Sequence, residues 1–271
     1  AKLESSSVAS DTSGPHASEA TSHRVFQPTT FEATGELKWV TDGKRGPAVS
    51  TQAGSTLDLG ASGDYPQEQG FSYGAWIRPA ADSGSAGIIA RMDEKNAYRG
   101  WDLFQQNREL CVHIIHSWPD NALKVATKKA VLKKDTWQHV FATYDGSGKV
   151  DGIQIYVDGE SQPLKVEKDN LKRDASIRTD TALRLGQRSN GQFFNGALQD
   201  VRLFSRSLPA DEVTQIYRLG PLAELLQTPA EERTEQQKSE LYDHYLNLLD
   251  SQAQRLSAAL AALESEQQAI Q

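Results

Sequence analysis

Two short segments of the chain concentrate the side chains that could bind a ligand. Residues 98–102 read Tyr-Arg-Gly-Trp-Asp, and residues 116–121 read His-Ser-Trp-Pro-Asp-Asn. Sugars present apolar C–H faces and many hydroxyls, so flat aromatic rings beside acids, amides or guanidinium groups suit them. The sequence therefore predicts a binding site with the candidate residues Tyr98, Arg99, Trp101, Asp102, His116, Trp118, Asp120, Asn121 and Arg188.

The two tryptophans of these segments also have a structural explanation. Trp101 begins a strand-like run and could belong to the core instead, and Trp118 could fill a loop. Pro119 and Asn121 suit a turn, which would leave Trp118 exposed.

The histidine and cysteine pattern does not favour a transition-metal site. Strand alternation puts His113 and His116 on opposite faces, whereas zinc needs three or four converging ligands. Cys111 is the single cysteine, so this chain holds no internal disulfide framework, no Cys-x-x-Cys zinc site and no haem attachment motif. We expect Cys111 to be a small buried side chain.

Composition and charge limit the partners. The 271 residues carry a net charge of −7, and residues 221–271 hold nine acidic and three basic residues. The remainder is almost neutral, without the clustered basic face that nucleic acid requires. No run reaches the ~18 apolar residues of a membrane helix. Because residue 1 is Ala, we expect a processed product or part of a longer protein.

The pattern along the chain divides it into three parts. Residues 1–24, rich in Ser, Ala and Thr, are expected to be a flexible leader or linker. Residues 25–220 alternate short apolar runs with turn residues, as in an all-β domain. The predicted strands span residues 71–78, 87–92, 101–105, 110–117, 123–127, 137–144, 153–158, 183–187 and 198–204.

Residues 221–271 are expected to form an acidic helical connector with a helix, a turn and a long helix. A short helix beginning at Pro209 should end before Gly220-Pro221. Thr228 and Thr234 each open a capping-box pattern. The long helix from Thr234 carries an apolar stripe with a seven-residue repeat. Its members are Tyr242, Leu249, Leu256, Leu263 and Ile270. This stripe could pack within its own protein or mediate helix self-association as a coiled coil. Because the chain ends inside the repeat, we expect the natural protein to continue.

Four segments carry a resemblance to a known fold family. They are residues 75–77 (AWI), 137–146 (WQHVFATYDG), 155–159 (IYVDG) and 196–204 (GALQDVRLF). In order and spacing they resemble the laminin-G-like, concanavalin A-like jelly roll. The resemblance implies a mainly β fold, a two-sheet antiparallel jelly-roll sandwich, over residues 25–220, followed by the C-terminal helical segment.

Further segments are similar to a narrower subgroup. Residues 98–102, 113–122 and 185–188 look like jelly rolls found in large planctomycete-type bacterial proteins, which also carry cytochrome-c-like haem domains. The haem motif is absent here, so the resemblance implies no redox function for this chain. It implies an extracytoplasmic module, periplasmic, secreted or on the cell surface, between other domains of a longer protein.

The same resemblance raises two chemical possibilities. Concanavalin A-like sandwiches include glucanases with two carboxylates in an E-x-D-x-x-E strand, and this sequence has no such motif, no G-x-S-x-G elbow and no H-E-x-x-H. We therefore predict that the chain is not an enzyme. Related sandwiches also hold structural Ca²⁺ at the rim, which makes Asp200 and Glu32 candidate calcium ligands, although Asp200 could instead pair with Arg202.

The sequence as a whole predicts a non-catalytic carbohydrate-binding module that contacts a glycan through exposed aromatics and polar loop residues. The alternative is a structural or protein–protein interaction module that positions neighbouring domains. A groove ringed with exposed aromatics would favour a glycan, whereas a flat apolar patch would favour a protein partner.

Overall fold

A computed structural model describes residues 8–11, 27–28, 32–35, 37–44, 46–80, 84–248 and 250, with scattered helical residues beyond. The chain falls into two compact units, Ala1–Tyr217 and Arg218–Gln271. The strands of the first unit are β1 (Val8–Asp11), β2 (Gln27–Pro28), β3 (Glu32–Thr34), β4 (Lys38–Gly43), β5 (Gly46–Thr51), β6 (Thr56–Asp58), β7 (Phe71–Pro79), β8 (Ser85–Asp93), β9 (Arg99–Gln106), β10 (Glu109–Ser117), β11 (Asn121–Thr127), β12 (Gln138–Tyr144), β13 (Ile153–Val157), β14 (Glu160–Ser161), β15 (Leu164–Asp169), β16 (Arg184–Leu185) and β17 (Gly196–Phe204).

These strands form the two sheets of a sandwich, which confirms the predicted jelly-roll class. Sheet A has the order β14-β13-β12-β7-β17-β1-β2, with β5 also on β17 and β4 on β5. Sheet B has the order β15-β11-β10-β9-β8-β16-β6-β3. Each of the nine predicted strands coincides with an observed one, because runs of β-branched and aromatic residues suit a pleated, half-buried surface.

The main core lies between the sheets and takes alternate residues from each strand. On β13, Ile153 and Ile155 point inward, as the alternation predicts. Large aromatic side chains fill the centre, where Tyr73 and Trp101 pack with ring centroids 4.5 Å apart. Trp101 is 1% exposed, and its indole Nε1 donates a hydrogen bond to the Gly63 carbonyl at 2.9 Å. The possibility that Trp101 is an exposed ligand-binding ring is therefore wrong.

A helix covers part of the outer face of sheet A. Helix α1 (Ala210–Gln227) lays Val213 and Ile216 over a second apolar cluster. Its sheet members include Phe141 and Tyr156, which point away from the main core. The helix begins as predicted, with the Val213 amide donating to the Pro209 carbonyl and two acids in its first turn.

The sequence predicts that this helix ends before Gly220-Pro221, but helix α1 continues through both residues. A proline inside a helix removes one backbone hydrogen bond and costs about 3 kcal/mol, but it need not stop a helix whose next residues are strong helix formers. The sequence after Pro221 reads Leu-Ala-Glu-Leu-Leu, and the helix continues to Gln227.

Part of the segment expected to be a flexible leader or linker, Val8–Asp11, forms a strand. β1 runs parallel to β17, with Val8 opposite Val201 and Asp11 opposite Phe204. Along this edge of β17, β5 pairs only with Gly196–Leu198. β1 supplies hydrogen-bond partners for the backbone groups farther along the same edge, at residues 201–204. The remaining residues of the expected leader lie outside the described ranges.

In the second unit, only one of the two predicted capping boxes begins a helix. Residues 228–232 form a turn, so the capping box predicted at Thr228 is wrong. Helix α2 (Glu235–Leu248) is capped by Thr234, which exchanges hydrogen bonds of 2.9 and 3.2 Å with Gln237.

The long helix predicted from Thr234 to the chain end is interrupted. The Asp250 carboxylate accepts the Gln252 amide at 2.9 Å, as an N-cap does, and residue 250 is not helical. Within the described part of the seven-residue stripe, Tyr242, Leu256 and Leu263 are each more than 60% exposed. Leu249 and Ile270 lie outside the described side chains.

Replacing Ile216 by Ala should test the role of helix α1 in the sandwich. Ile216 is 5% exposed beneath the helix, so we expect Ile216→Ala to lower the free energy of unfolding by about 2–4 kcal/mol. Exposed Gln215 provides the control, since Gln215→Ala removes no buried group. Equal effects of the two variants in chemical denaturation would contradict the covering role of the helix.

We also expect the sandwich to fold without the acidic segment. The buried clusters use residues no later than Ile216, so a chain ending at Gln227, which retains α1, should unfold in the same cooperative transition as the full chain. Circular dichroism melts of both proteins measure this. An insoluble or molten product would show that residues 228–271 belong to the fold of the first unit.

Candidate functional site

A cavity of about 270 Å³ lies on the outer face of sheet B. It is built mainly from β9, β10 and β11, whose inward residues fill the core while the alternate ones point outward. The lining residues are Ser85, Tyr98, Phe104, Gln106, His113, Ile115, Trp118, Lys124, Arg188 and Gln192. Its volume is close to the lower end of small-molecule pockets, about 300 Å³. A cavity of this size has room for a single sugar ring or for the terminal residue of a glycan chain.

Strand register places three polar side chains in one row under this cavity. A two-residue turn at Asn107-Arg108, with left-handed φ values of 52° and 65°, joins β9 to β10 and sets Asp102 opposite His113. On the other side of β10, Lys124 of β11 also lies opposite His113. Cβ atoms of directly opposed residues are about 4.5–5.5 Å apart, so register alone brings the three groups together.

Asp102 is the central anion of the site and is completely buried. Its Oδ2 accepts a hydrogen bond from Nε of Arg188 at 2.7 Å, and its Oδ1 lies 2.8 Å from Nδ1 of His113. Burial by itself would raise the pKa of Asp102. The charge of Arg188 and the contact with His113 outweigh burial and hold the pKa below its ordinary value. Asp102 is therefore a fixed carboxylate that positions two side chains beneath the cavity.

His113 is held as a neutral ring with one defined donor. Burial lowers its pKa, and this effect exceeds the opposing influence of Asp102. Because Asp102 is ionised, Nδ1 of His113 carries the proton and donates it to Oδ1. The nearby guanidinium nitrogen of Arg188, 3.3 Å from Nδ1, is then an electrostatic neighbour and not a donor to that atom. The remaining ring nitrogen, Nε2, is an acceptor on a residue that lines the cavity.

Arg188 is fixed between the carboxylate and aromatic rings. Its guanidinium carbon lies 4.0 Å from the ring centroid of Phe104 and 5.8 Å from that of Tyr98. The loop that carries Arg188 passes very close to β8 at Gly87. A Cβ at Gly87 would meet the Gln187 carbonyl carbon at 2.9 Å, so a side chain there would displace the loop.

Trp118 forms one wall of the cavity and is half-buried. Its backbone amide donates to the Ala97 carbonyl at 2.8 Å, and its ring stands edge-on to His113 with centroids 6.1 Å apart. The ammonium groups of Lys124 and Lys168 lie 5.9 and 5.8 Å from the ring centroid, within cation–π range. Trp118 therefore lines the cavity, and it also packs against the small buried cluster of Met92, Ile115 and Ala122.

The structure separates the predicted binding residues into two groups. Tyr98, Trp118 and Arg188 line the cavity, and Asp102 supports it from below. The others lie elsewhere. Arg99 lines a second, polar cavity of about 630 Å³, and its Nε donates to the His116 carbonyl.

Three of the remaining candidate binding residues lie outside the cavity. His116 donates through Nδ1 to the Ser176 carbonyl at 2.8 Å. Asn121 is buried, and its Oδ1 accepts the Lys172 amide at 2.8 Å, so it ties two loops together. Asp120 is exposed, and it does not line the cavity.

The predicted calcium ligands do not converge. Asp200 sits at an irregularity of β17 and pairs with Arg202 through contacts of 2.7 and 3.0 Å, the alternative weighed from the sequence. Glu32 is on β3 in the other sheet. Within the described ranges no group of three or more His, Cys, Asp or Glu residues is placed to hold a metal. The geometry gives this pair no support as a calcium site.

Of the ten residues that line the cavity, the sequence predicts three as binding residues and does not identify the other seven. The seven include the polar residues His113, Lys124 and Gln106. Alternation does place Cys111, His113 and Ile115 on one face of β10, which was a usable signal. Burial raises the pKa of the Cys111 thiol to about 12, so it is an inert neighbour of the site.

The comparisons with known proteins agree with this fold. The family model Laminin_G_3, described as the concanavalin A-like lectin/glucanases superfamily, matches residues 50–214. A stretch of 151 residues is 25% identical to the Adhesion G-protein coupled receptor V1 of Danio rerio, covering 54% of this chain and 2% of that receptor.

Solved structures of two toxin domains share the fold. The binding domain of Paraclostridial Mosquitocidal Protein 1 matches with a TM-score of 0.54 and 16% identity, over 70% of this chain and 47% of that one. The Botulinum Neurotoxin serotype G binding domain matches with a TM-score of 0.52 and 16% identity, over 71% and 47%. This chain thus spans about half of each toxin domain and a small fraction of the receptor.

The buried His113 gives the stability of the domain a pH dependence. The pKa of His113 is lowered from 6.5 in the folded state, so its stabilising contribution is complete above pH 6.5. It is lost progressively as the pH falls below that value toward the folded-state pKa, because the unfolded chain then binds the additional proton. We therefore expect the free energy of unfolding to decrease between pH 7 and pH 5.

His113→Asn should remove most of that decrease, because an Asn amide donates to Asp102 but does not titrate. Urea denaturation at pH 7, 6 and 5 measures the slope, and His116→Asn is the control at the neighbouring, less buried histidine. An unchanged slope in His113→Asn would disprove the assignment.

Proposed function

This chain belongs to the concanavalin A-like lectin/glucanases superfamily, and we propose that it is a non-catalytic module that binds a glycan on the outer face of sheet B. The observation that carries the proposal is the cavity in which Tyr98 and Trp118 flank Arg188 and His113. The aromatic rings offer surfaces for the C–H face of a sugar.

The polar groups of the cavity suit sugar hydroxyls. A guanidinium has five N–H donors, of which Asp102 takes one through Nε, so Arg188 retains donors for a ligand. Neutral His113 offers Nε2 as an acceptor for a hydroxyl proton, and Gln106 adds an amide. A mixed set of donors and acceptors on a rigid sheet is the arrangement that orients a neutral or charged hydroxyl-rich ligand.

The same geometry argues against glycoside hydrolysis at this cavity. Retaining hydrolases need two carboxyl groups about 5–5.5 Å apart that can exchange protons with the substrate. Of the described residues that line the cavity, none is acidic. Asp102 lies beneath it with both oxygens engaged and with its pKa lowered, so it cannot act as a general acid near neutral pH.

The shape of the site favours a glycan over a protein partner, since the site is concave and polar and not a flat apolar patch. We further propose that the module acts outside the cytoplasm, in a longer bacterial protein. An adhesion receptor and toxin binding domains among its relatives support an extracellular role. None of the helices in the described ranges is long and apolar enough to cross a membrane.

A glycan array followed by titration of the best ligand tests the proposal. Trp118→Ala should make the binding free energy of that ligand less favourable by about 1–3 kcal/mol. This is the range for loss of one aromatic ring that stacks on a planar ligand. Trp39→Ala is the matched control, because Trp39 is 46% exposed on β4, outside the cavity. Loss of binding in the Trp39 variant alone, or release of reducing ends from the glycan by the intact protein, would refute the proposed function.

A further inference from the structure

The cavity on sheet B carries an excess of positive charge, although the part of the chain before residue 221 is almost neutral. Two of the residues that line it, Arg188 and Lys124, are cationic, and within the described ranges no acidic side chain lines it. Lys168 adds a third cation beside Trp118. Two carboxylates, Asp102 and Glu167, contact these cations. The three cations and two carboxylates together carry a net charge of +1, whereas the whole chain has a net charge of −7.

Both compensating acids lie away from the space a ligand would fill. Asp102 is completely buried beneath Arg188 and His113, and Glu167 is on β15, next to β11, and does not line the cavity. A ligand entering the cavity therefore meets the cations directly. The acids behind them reduce the attraction but present no repelling oxygen at the surface of contact.

Lys124 is the cation best suited to a ligand anion. Its side chain is 11% exposed, and it is held by contacts of 2.7 Å to Glu167 and 3.1 Å to Oε1 of Gln106. These contacts use two of the three N–H donors of the ammonium. The third is available to a ligand, and an ammonium already immobilised loses little side-chain entropy when it pairs.

Resting on the proposed glycan-binding function, we propose that the cavity selects a sugar with an anionic substituent, a carboxylate or a sulfate ester. The anion pairs with Lys124 and Arg188, and the ring lies between Tyr98 and Trp118. A neutral sugar leaves the charge excess uncompensated after water is displaced, whereas an anionic sugar neutralises it. Charge-assisted hydrogen bonds are about twice as strong as neutral ones, which gives the expected preference.

The test compares sugars that differ only at one carbon. The full-length protein is titrated with glucose, glucuronate and glucose 6-sulfate, and with galactose, galacturonate and galactose 6-sulfate, using chemical shifts in NMR spectra. In at least one set we expect an anionic sugar to bind about tenfold more tightly than its neutral counterpart. We also expect this preference to shrink as salt screens the charges. The comparison of carboxylate with sulfate identifies which anion the site prefers.

Three variants assign any preference to the cavity. Lys124→Met should abolish it, and Glu167→Gln should strengthen anion binding severalfold, because it removes the carboxylate that competes for Lys124. The increase is a result that damage to the fold would not produce. Lys134→Gln is the control, since Lys134 is an exposed lysine that does not line the cavity.

The outcomes separate this proposal from the proposed function. Neutral sugars that bind as well as the anionic ones, no binding of any anionic sugar, or weaker anion binding in Glu167→Gln would each overturn the anionic selectivity. Glycan binding as such would still stand in the first case. A glycan array without a ligand would also remove the proposed function.

Discussion

The ion pair between buried Asp102 and Arg188 is the interaction on which the rest of the site depends. A carboxylate with no exposed surface is tolerated only when its lone pairs are matched by donors of excellent geometry. Here the donors come from two distant parts of the chain, a histidine on the next strand and an arginine on the loop after β16. Removing Arg188 would leave Asp102 as a buried charge without its counter-ion, a loss of about 3–5 kcal/mol. The pair therefore fixes the loop against the sheet and, through the loop, the shape of the cavity.

The two sheets present different outer faces. The outer face of sheet A is covered in part by helix α1, with Val213 and Ile216 packed on Phe141 and Tyr156. The outer face of sheet B carries small apolar groups such as Cys111 and Ala126 beside the polar row. Among the described residues, the cavity proposed to bind a ligand lies on the outer face of sheet B, whereas helix α1 packs on the outer face of sheet A.

Local patterns in the sequence predicted most of the fold but only part of the site. Strand runs and the Thr234 capping box are encoded by neighbouring residues, so they could be predicted. The extension of α1 through Pro221 and the pairing of β1 with β17 depend on energies set elsewhere in the chain. Tyr98 and Trp118 were found by residue type. His113 and Lys124 were missed because their meeting with Asp102 depends on strand register, which a single sequence does not display.

The separation of the ion-pair partners along the chain has a consequence for how the protein is made. Asp102 and Arg188 are 86 residues apart, and the ribosome adds about 5–20 residues per second, so the arginine follows the aspartate by roughly 4–17 s. During that interval β9 and β10 have the residues they need to pair, but the carboxylate between them lacks its cation. Burial of Asp102 is thus unfavourable until Arg188 has emerged. Synthesis order delays closure of the cavity until the chain that completes it is present.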